Sequence, residues 1–222
     1  MFARAAAIDM PNDRGPGNSQ PHTGQKKESY LSLALYTLVA LGLAILIRVF
    51  VAEPFVVDGT SMLNTFQNYN YLIVDRITYD FSPPQRGDIV VLELPQETSR
   101  DLIKRVIGLP GDTVDISGTQ PTITIYNSQY PDGCVLNEPY VDPANYGGPT
   151  DIRVTLGDDQ YYVLGDNRDV SADSRTWGIL PGSDIVGRVL IRLYPFNEIG
   201  IFPGEARYAS CAATSTPSTT SQ

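Results

Sequence analysis

The sequence predicts a mainly β domain carried behind one N-terminal membrane-spanning helix. Two observations predict it. From Ser29 to Ile47 the chain reads SYLSLALYTLVALGLAILI, without a charge. After Arg48, short runs rich in Val, Ile and Tyr alternate with Gly- and Pro-based turn signals, and no helical period of ten or more residues appears.

Residues 1–28 are rich in Gly, Pro, Gln and Asn with no apolar period, and are expected to be a disordered tail. Residues 29–50 are expected to cross the membrane. The uncharged run extends about 28 Å as a helix at 1.5 Å per residue, enough for the hydrocarbon core. A cleaved secretory leader is the alternative, but the run is long for one, and VFVAEPFVV continues it with no small-x-small cleavage site. A buried soluble helix would show a polar face. Charge sets the direction. Arg4, Arg14, Lys26 and Lys27 against Asp9, Asp13 and Glu28 leave the tail at +1; within the total of −9, the rest carries −10. The tail is therefore expected in the cytoplasm and the remainder outside, in a single-pass protein of the cytoplasmic membrane.

Residues 51–208 are expected to form the extracytoplasmic β domain. Its strand candidates are Tyr71–Tyr79, Asp88–Leu94, Asp101–Leu109, Thr122–Tyr126, Gln160–Leu164 and Asp184–Tyr194. Pro83-Pro84, Gly87-Asp88, Pro110-Gly111-Asp112, Pro131-Asp132-Gly133 and Gly147-Gly148-Pro149 punctuate them. Residues 209–222, ASCAATSTPSTTSQ, read as a second disordered tail of low complexity.

Composition narrows the chemistry. A net charge of −9 and a pI near 4.5 argue against nucleic acid as a partner, because phosphate contacts need clustered cations. The one histidine, His22, lies across the span from the domain, so neither a Ser-His-Asp triad nor a multi-His metal site is available there. Cys134 and Cys211 are far apart without metal-ligand spacing; one disulfide or two free thiols both remain open. Only Lys26, Lys27 and Lys104 are lysines. Arginine does not deprotonate inside proteins, so Lys104 is the one amine side chain after the span able to act as a base.

Three segments can use it. In Asp58-Gly59-Thr60-Ser61-Met62, Gly59 permits a tight turn that presents the Ser61 hydroxyl and N–H together. In DLIKRVIGL, strand alternation puts Lys104 on one face with Leu102 and Val106, and burial there lowers a lysine pKa until the neutral amine can take a serine proton. In Gly165–Arg175, Asp166, Arg168, Asp173 and Arg175 can neutralise one another and shape a loop, while Ser171 or Ser174 can orient the lysine amine.

Ser61-Met62, RGDIVVLELP (Arg86–Pro95), KRVIGLPGD (Lys104–Asp112) and GDNRDVSADSRTWG (Gly165–Gly178) resemble, in order, the signature boxes of bacterial type I signal peptidases. The preceding span, Arg48 and VAEPFVV are similar to that family too, and the resemblance covers roughly residues 30–195. It implies a membrane-anchored Ser/Lys endopeptidase that cuts signal peptides from exported preproteins, without metal or organic cofactor. It implies a coiled β-barrel-like catalytic core and a variable second β region at about 113–160. By resemblance Ser61 is the nucleophile, Lys104 the general base and Ser171 the hydroxyl that positions the amine. Asp173 and Arg175 support the site, and the Ser61 N–H holds the oxyanion. Shallow apolar pockets are expected for small side chains at −1 and −3, with the substrate extended along strand edges near 57–61 and 101–104.

Two positions depart from the pattern. The nucleophile box usually reads Ser-Met-x-Pro-Thr, and here it is Ser61-Met62-Leu63-Asn64-Thr65. Some members carry a serine two residues before the nucleophile, where this chain has Gly59, as others do. Three rivals are an autoproteolytic Ser/Lys repressor, an idle membrane-anchored peptide-binding module, and a family peptidase of narrow substrate range. The first lacks its DNA-binding module here, and the presence of both Ser61 and Lys104 argues against the second.

Overall fold

The structure, a computed structural model, describes residues 30–50, 52–94, 97–118, 122–148 and 150–208. The two expected disordered tails, His22 and Cys211 lie outside the described residues. The chain divides into two compact units, Met1–Leu41 and Gly42–Gln222. Helix α1 (Tyr30–Phe50) runs from the first into the second. Its 21 residues extend about 31 Å, and Leu33, Leu35, Tyr36, Leu38, Val39, Leu41 and Leu43 are all exposed. Among the described residues no helix is long and apolar enough to cross a membrane; the side chains of α1 are described at Tyr30 and over 32–44.

The second unit is mainly β. In chain order its elements are β1 (Ala52–Val56), β2 (Tyr71–Asp75), the single-turn α2 (Thr78–Phe81), β3 (Ile89–Leu94), β4 (Glu97–Gly108), β5 (Thr113–Ser117), β6 (Thr122–Tyr126), β7 (Cys134–Val135), β8 (Ile152–Thr155), β9 (Gln160–Leu164), the single-turn α3 (Ser174–Trp177), β10 (Leu180–Pro181), β11 (Ile185–Tyr194) and β12 (Gly200–Ile201). Eight strands form one sheet in the order β1-β2-β11-β3-β4-β9-β10, with β12 on β11; four form a second in the order β7-β6-β5-β8. The pairings are antiparallel. Among the described residues the larger sheet is an open path with β1 and β10 at its ends.

The residues account for this division. β3, IVVLEL, is apolar on both faces: Ile89 and Val91 pack with Met62, Phe66, Leu72 and Val74, while Val90 and Leu92 pack with Val106, Tyr161 and Val163. β5 and β6 alternate instead. Their inward Val114, Ile116, Ile123 and Ile125 join Ile107, Tyr162 and Leu164 in one cluster that welds the smaller sheet to the larger. Cys134 is buried and disulfide-bonded.

Thr122–Tyr126 and Gln160–Leu164 are strands with the expected bounds. The strand expected over Tyr71–Tyr79 ends early, because Asp75 Oδ1 accepts the N–H groups of Ile77 and Thr78 and turns the chain into α2. β1 escapes pattern reading because Glu53 and Pro54 interrupt it; as an edge strand it tolerates proline.

Candidate active site

Ser61 follows an extended run after β1. Val57 N–H donates to Asn70 O at 2.9 Å, and Val57 O accepts from Tyr69 N–H at 2.8 Å, so backbone bonding continues one residue past the end of β1. Gly59 then takes φ 116°, a left-handed value that suits only glycine, with open space beside its α-carbon. A tight turn closes behind Ser61: Thr65 N–H and Phe66 N–H both donate to Met62 O, at 3.1 and 2.7 Å. Met62 and Phe66 are buried, which anchors the turn by about 1.5–3 kcal/mol for each large apolar side chain. Asn167 N–H donates to Ser61 O at 3.0 Å, fixing the Ser61 peptide. The departure at Asn64 has a backbone cause. Asn64 has φ 82° and donates to Tyr140 O at 3.4 Å, whereas proline is held near about −65°.

Lys104 and Arg105 are neighbours on β4 with opposite fates. Val90 lies across from Lys104 and Ile89 across from Arg105, and cross-strand partners share a face. Lys104 therefore shares its face with Leu102, Val90 and Val106, as the alternation predicts. It is 2% exposed; its Nζ donates to Ser61 Oγ at 2.9 Å and to Ile103 O at 2.9 Å. Burial pushes the amine down to about 8. Asp173 and Asp166 pull it back up less strongly, and Arg100 pushes it further down.

Arg105 is fully buried and forms a two-pronged pair with Asp166, Nε to Oδ1 at 2.8 Å and Nη2 to Oδ2 at 2.6 Å. Its remaining N–H groups donate to Gly87 O, Gly204 O and Thr65 Oγ1 at 3.1, 2.7 and 3.3 Å. Thr65 Oγ1 in turn donates to Asp166 Oδ2 at 2.5 Å. This pair binds β4, the turn at 61–66 and the 165–175 loop together. Sequence reasoning missed Arg105 and Thr65 as site residues. The signal was an arginine inside an apolar strand, which when buried requires a carboxylate.

Asp166, Arg168, Asp173 and Arg175 do not simply neutralise one another. Only Asp173 and Arg175 pair within the 165–175 loop, at 2.8 Å. Asp166 goes to Arg105, and Arg168 goes to Glu138 at 2.5 Å. Asp173 is fully buried, accepts Gly165 N–H at 3.1 Å and caps α3 through Arg175 N–H. Arg175 also donates to Arg168 O at 2.7 Å. Ser171 Oγ is buried and has no hydrogen-bond partner among the described residues. A side chain at Gly165 would strike both Ser171 Oγ and Ser61 O, at 2.2 and 2.5 Å, so the hydroxyl lies beside the Ser61 carbonyl. Ser174, the other candidate orienter, accepts Val163 N–H at 3.0 Å instead.

A cavity of about 240 Å³ opens at Ser61 and Lys104, lined by Phe55, Val56, Leu72, Val91, Leu102 and Ile103, with a charged rim of Asp58, Arg100 and Asp101. Two strand edges flank it. Among the described residues β1 pairs only with β2, and β4 pairs with β9 only from Arg105 onward. Because Val57 spends its backbone on the 69–70 segment, alternation turns the polar groups of Val56 and Asp58 outward. Among the described residues no cluster of His, Cys, Asp and Glu is arranged to hold a metal ion.

The profile of the family described as "Signal peptidase, peptidase S26" matches residues 30–194. A probable signal peptidase I-1 of Synechocystis sp. is 40% identical over 171 residues, covering 73% of this chain and 82% of that protein. Signal peptidase I of Leptolyngbya laminosa is 38% identical over 208 residues, covering 86% and 94%. That of Bacillus amyloliquefaciens is 37% identical over 190 residues, covering 82% and 97%. A solved signal peptidase I from Enterococcus faecalis is 30% identical with TM-score 0.40, over 49% of this chain and 97% of its own. The chain belongs to the peptidase S26 family of signal peptidases, and is a serine protease of the signal peptidase I type.

Proposed function

We propose that this chain is a membrane-anchored Ser/Lys endopeptidase that removes N-terminal signal peptides from exported preproteins after small residues at −1 and −3. The observation that carries the mechanism is the 2.9 Å contact between a buried Lys104 amine and Ser61 Oγ. An amine titrating near 8 is partly neutral at physiological pH and able to take the serine proton. Ser61 Oγ attacks the scissile carbonyl, and the proton passes through Lys104 to the leaving amine. Water then releases the acyl group with Lys104 again as base. The Ser61 N–H is the donor for the developing oxyanion. No metal or organic cofactor enters the reaction.

The groove supports the substrate class. A peptide lying between the edge at 56–58 and the edge at 100–104 is held by main-chain hydrogen bonds, which read extended shape rather than side-chain identity. The apolar walls from Phe55, Val56, Leu72 and Ile103 suit small apolar side chains next to Ser61. Asp173 and Arg175 act on the site by holding the 165–175 loop. Ser171, buried without a partner, is a hydroxyl available to the Lys104 amine as the acyl-enzyme forms. Anchoring rests on α1, its exposed apolar side chains and the charge split on either side of the uncharged run. The tail before it lies in the cytoplasm, and 51–208 lie outside.

The test is the purified full-length protein in detergent with a preprotein of known signal peptide, followed by mass spectrometry of the products. One cut after a small-x-small motif, lost in Ser61→Ala, is the expected result. Cleavage elsewhere, or cleavage that survives Ser61→Ala, contradicts it.

A further inference from the structure

The family match ends at residue 194, yet the chain returns to the dyad after that point. Beyond β12, residues 202–208 run under the nucleophile turn. Gly204 O accepts from Arg105 Nη1 at 2.7 Å, the shorter of the two bonds that nitrogen makes. Gly204 has φ 74°, and a Cβ there would fall 2.1 Å from Thr65 Cγ2. Ala206 N–H donates to Gly87 O at 3.4 Å, the same carbonyl that accepts from Arg105. Glu205 pairs with Arg188 of β11 at 2.7 Å. Tyr208 OH meets Tyr140 OH at 2.5 Å, and the Tyr140 ring lies 3.8 Å beneath the Arg105 guanidinium. The segment therefore touches Arg105 directly at Gly204, indirectly through Tyr140, and touches Thr65 by close packing.

These contacts have a mechanical consequence. Arg105 is the residue after the base, and Thr65 lies four residues after the nucleophile. Arg105 uses all five of its N–H donors, and Gly204 supplies one of the acceptors. If Gly204 withdraws, a buried charged donor is orphaned, and the guanidinium must shift toward another acceptor. Thr65 and Asp166 then shift with it, because both are bonded to the same group.

We propose that residues 202–208 form a positioning strap that sets the distance between Ser61 and Lys104 through Arg105 and Thr65. The proposal rests on the Ser61/Lys104 reading. Gly204 and Tyr208 are positioning residues and touch neither substrate nor the reacting atoms. Gly204→Ala lifts the strap off Thr65. Tyr208→Phe removes one hydroxyl while keeping the packing, and so supplies a variant with little cost to folding.

The experiment compares full-length Gly204→Ala and Tyr208→Phe with the parent chain. It measures kcat, KM, the pH dependence of kcat/KM and thermal unfolding. A displacement of reacting groups by about an ångström is enough for about a hundredfold in rate. Gly204→Ala is expected to lower kcat by about that factor with KM changed less than about twofold. Its acid limb should move up from near 8 toward the ordinary lysine range as water reaches the loosened amine. Tyr208→Phe should show the same two changes, smaller. Lower thermal stability with kcat and the limb unchanged in both variants overturns the strap and leaves the dyad standing. An unaltered limb in Tyr208→Phe, should Gly204→Ala not fold, overturns it equally. Activity that survives Ser61→Ala or Lys104→Ala removes the reading on which the strap rests, whatever the strap variants do.

Discussion

Two adjacent side chains of β4 divide the labour of this site. Lys104 and Arg105 are both cations, and each is nearly inaccessible, at 2% and 0% exposure. Arg105 meets a buried carboxylate in two-pronged geometry. Lys104 meets a hydroxyl and a carbonyl, with Asp173 and Asp166 acting on it only through space. Burial with a bonded carboxylate fixes a charge; burial without one tends to remove it. One face of the strand is therefore built to hold its proton and the other to give it up.

Lys104→Arg is the sharpest way to break the contrast. It keeps the charge but yields no free base, so kcat/KM with a preprotein should fall by about 10^4-fold, the upper range for a general base. An active Lys104→Arg enzyme sinks the Ser/Lys mechanism. On the other face Asp166→Asn leaves the Arg105 charge without its counter-ion, and chemical denaturation should report a loss of about 3–5 kcal/mol. A stability loss under 1 kcal/mol would mean that the pair does not tie the three segments together.

Smaller effects separate the two loop serines. Ser171→Ala should lower kcat by about one to three decades, each decade being about 1.4 kcal/mol, with unfolding little changed. Ser174→Ala orphans the buried Val163 N–H, so it should cost about 1–3 kcal/mol of stability and leave kcat of the folded fraction intact. The reverse pattern in kcat would exchange their roles. Asn64→Pro acts on stability alone: it restores the usual family residue but demands a backbone angle that Asn64 does not have. It should destabilise by about 1–3 kcal/mol. A stabilised Asn64→Pro would show that the turn accepts the proline geometry.

How much of this is legible in the sequence follows from the distance over which each feature is decided. Lys104 stands out in the sequence because it is the one lysine after residue 27 and sits among apolar neighbours on a strand. The mainly β class is legible from short runs between Gly and Pro signals. The partners of Asp166 and Arg168 are not, because Arg105 lies 61 residues away and Glu138 lies 30 away. Nearest-neighbour pairing within the loop is the only option a linear reading offers, and it is right for Asp173 and Arg175 alone. The strap at 202–208 is invisible for the same reason. Its contact with Arg105 is a glycine carbonyl, which carries no motif, and its side-chain partners Arg188 and Tyr140 lie 17 and 68 residues away from Glu205 and Tyr208.

The pH dependence of Lys104 bears on stability as well as on rate. The unfolded chain holds the lysine proton up to about 10.4, and the folded chain releases it near 8. Between those values the unfolded state binds more protons, so this group's contribution to stability rises with pH across the window.

The most direct test of a neutral Lys104 acting on Ser61 is kcat/KM of the full-length enzyme as a function of pH, read from about pH 5 to 10 on one preprotein. The expected profile climbs about tenfold per pH unit on its acid side and levels off near 8, where the buried amine loses its proton. A profile with no ionisation between 7 and 9, or one that falls as pH rises through 8, would contradict it.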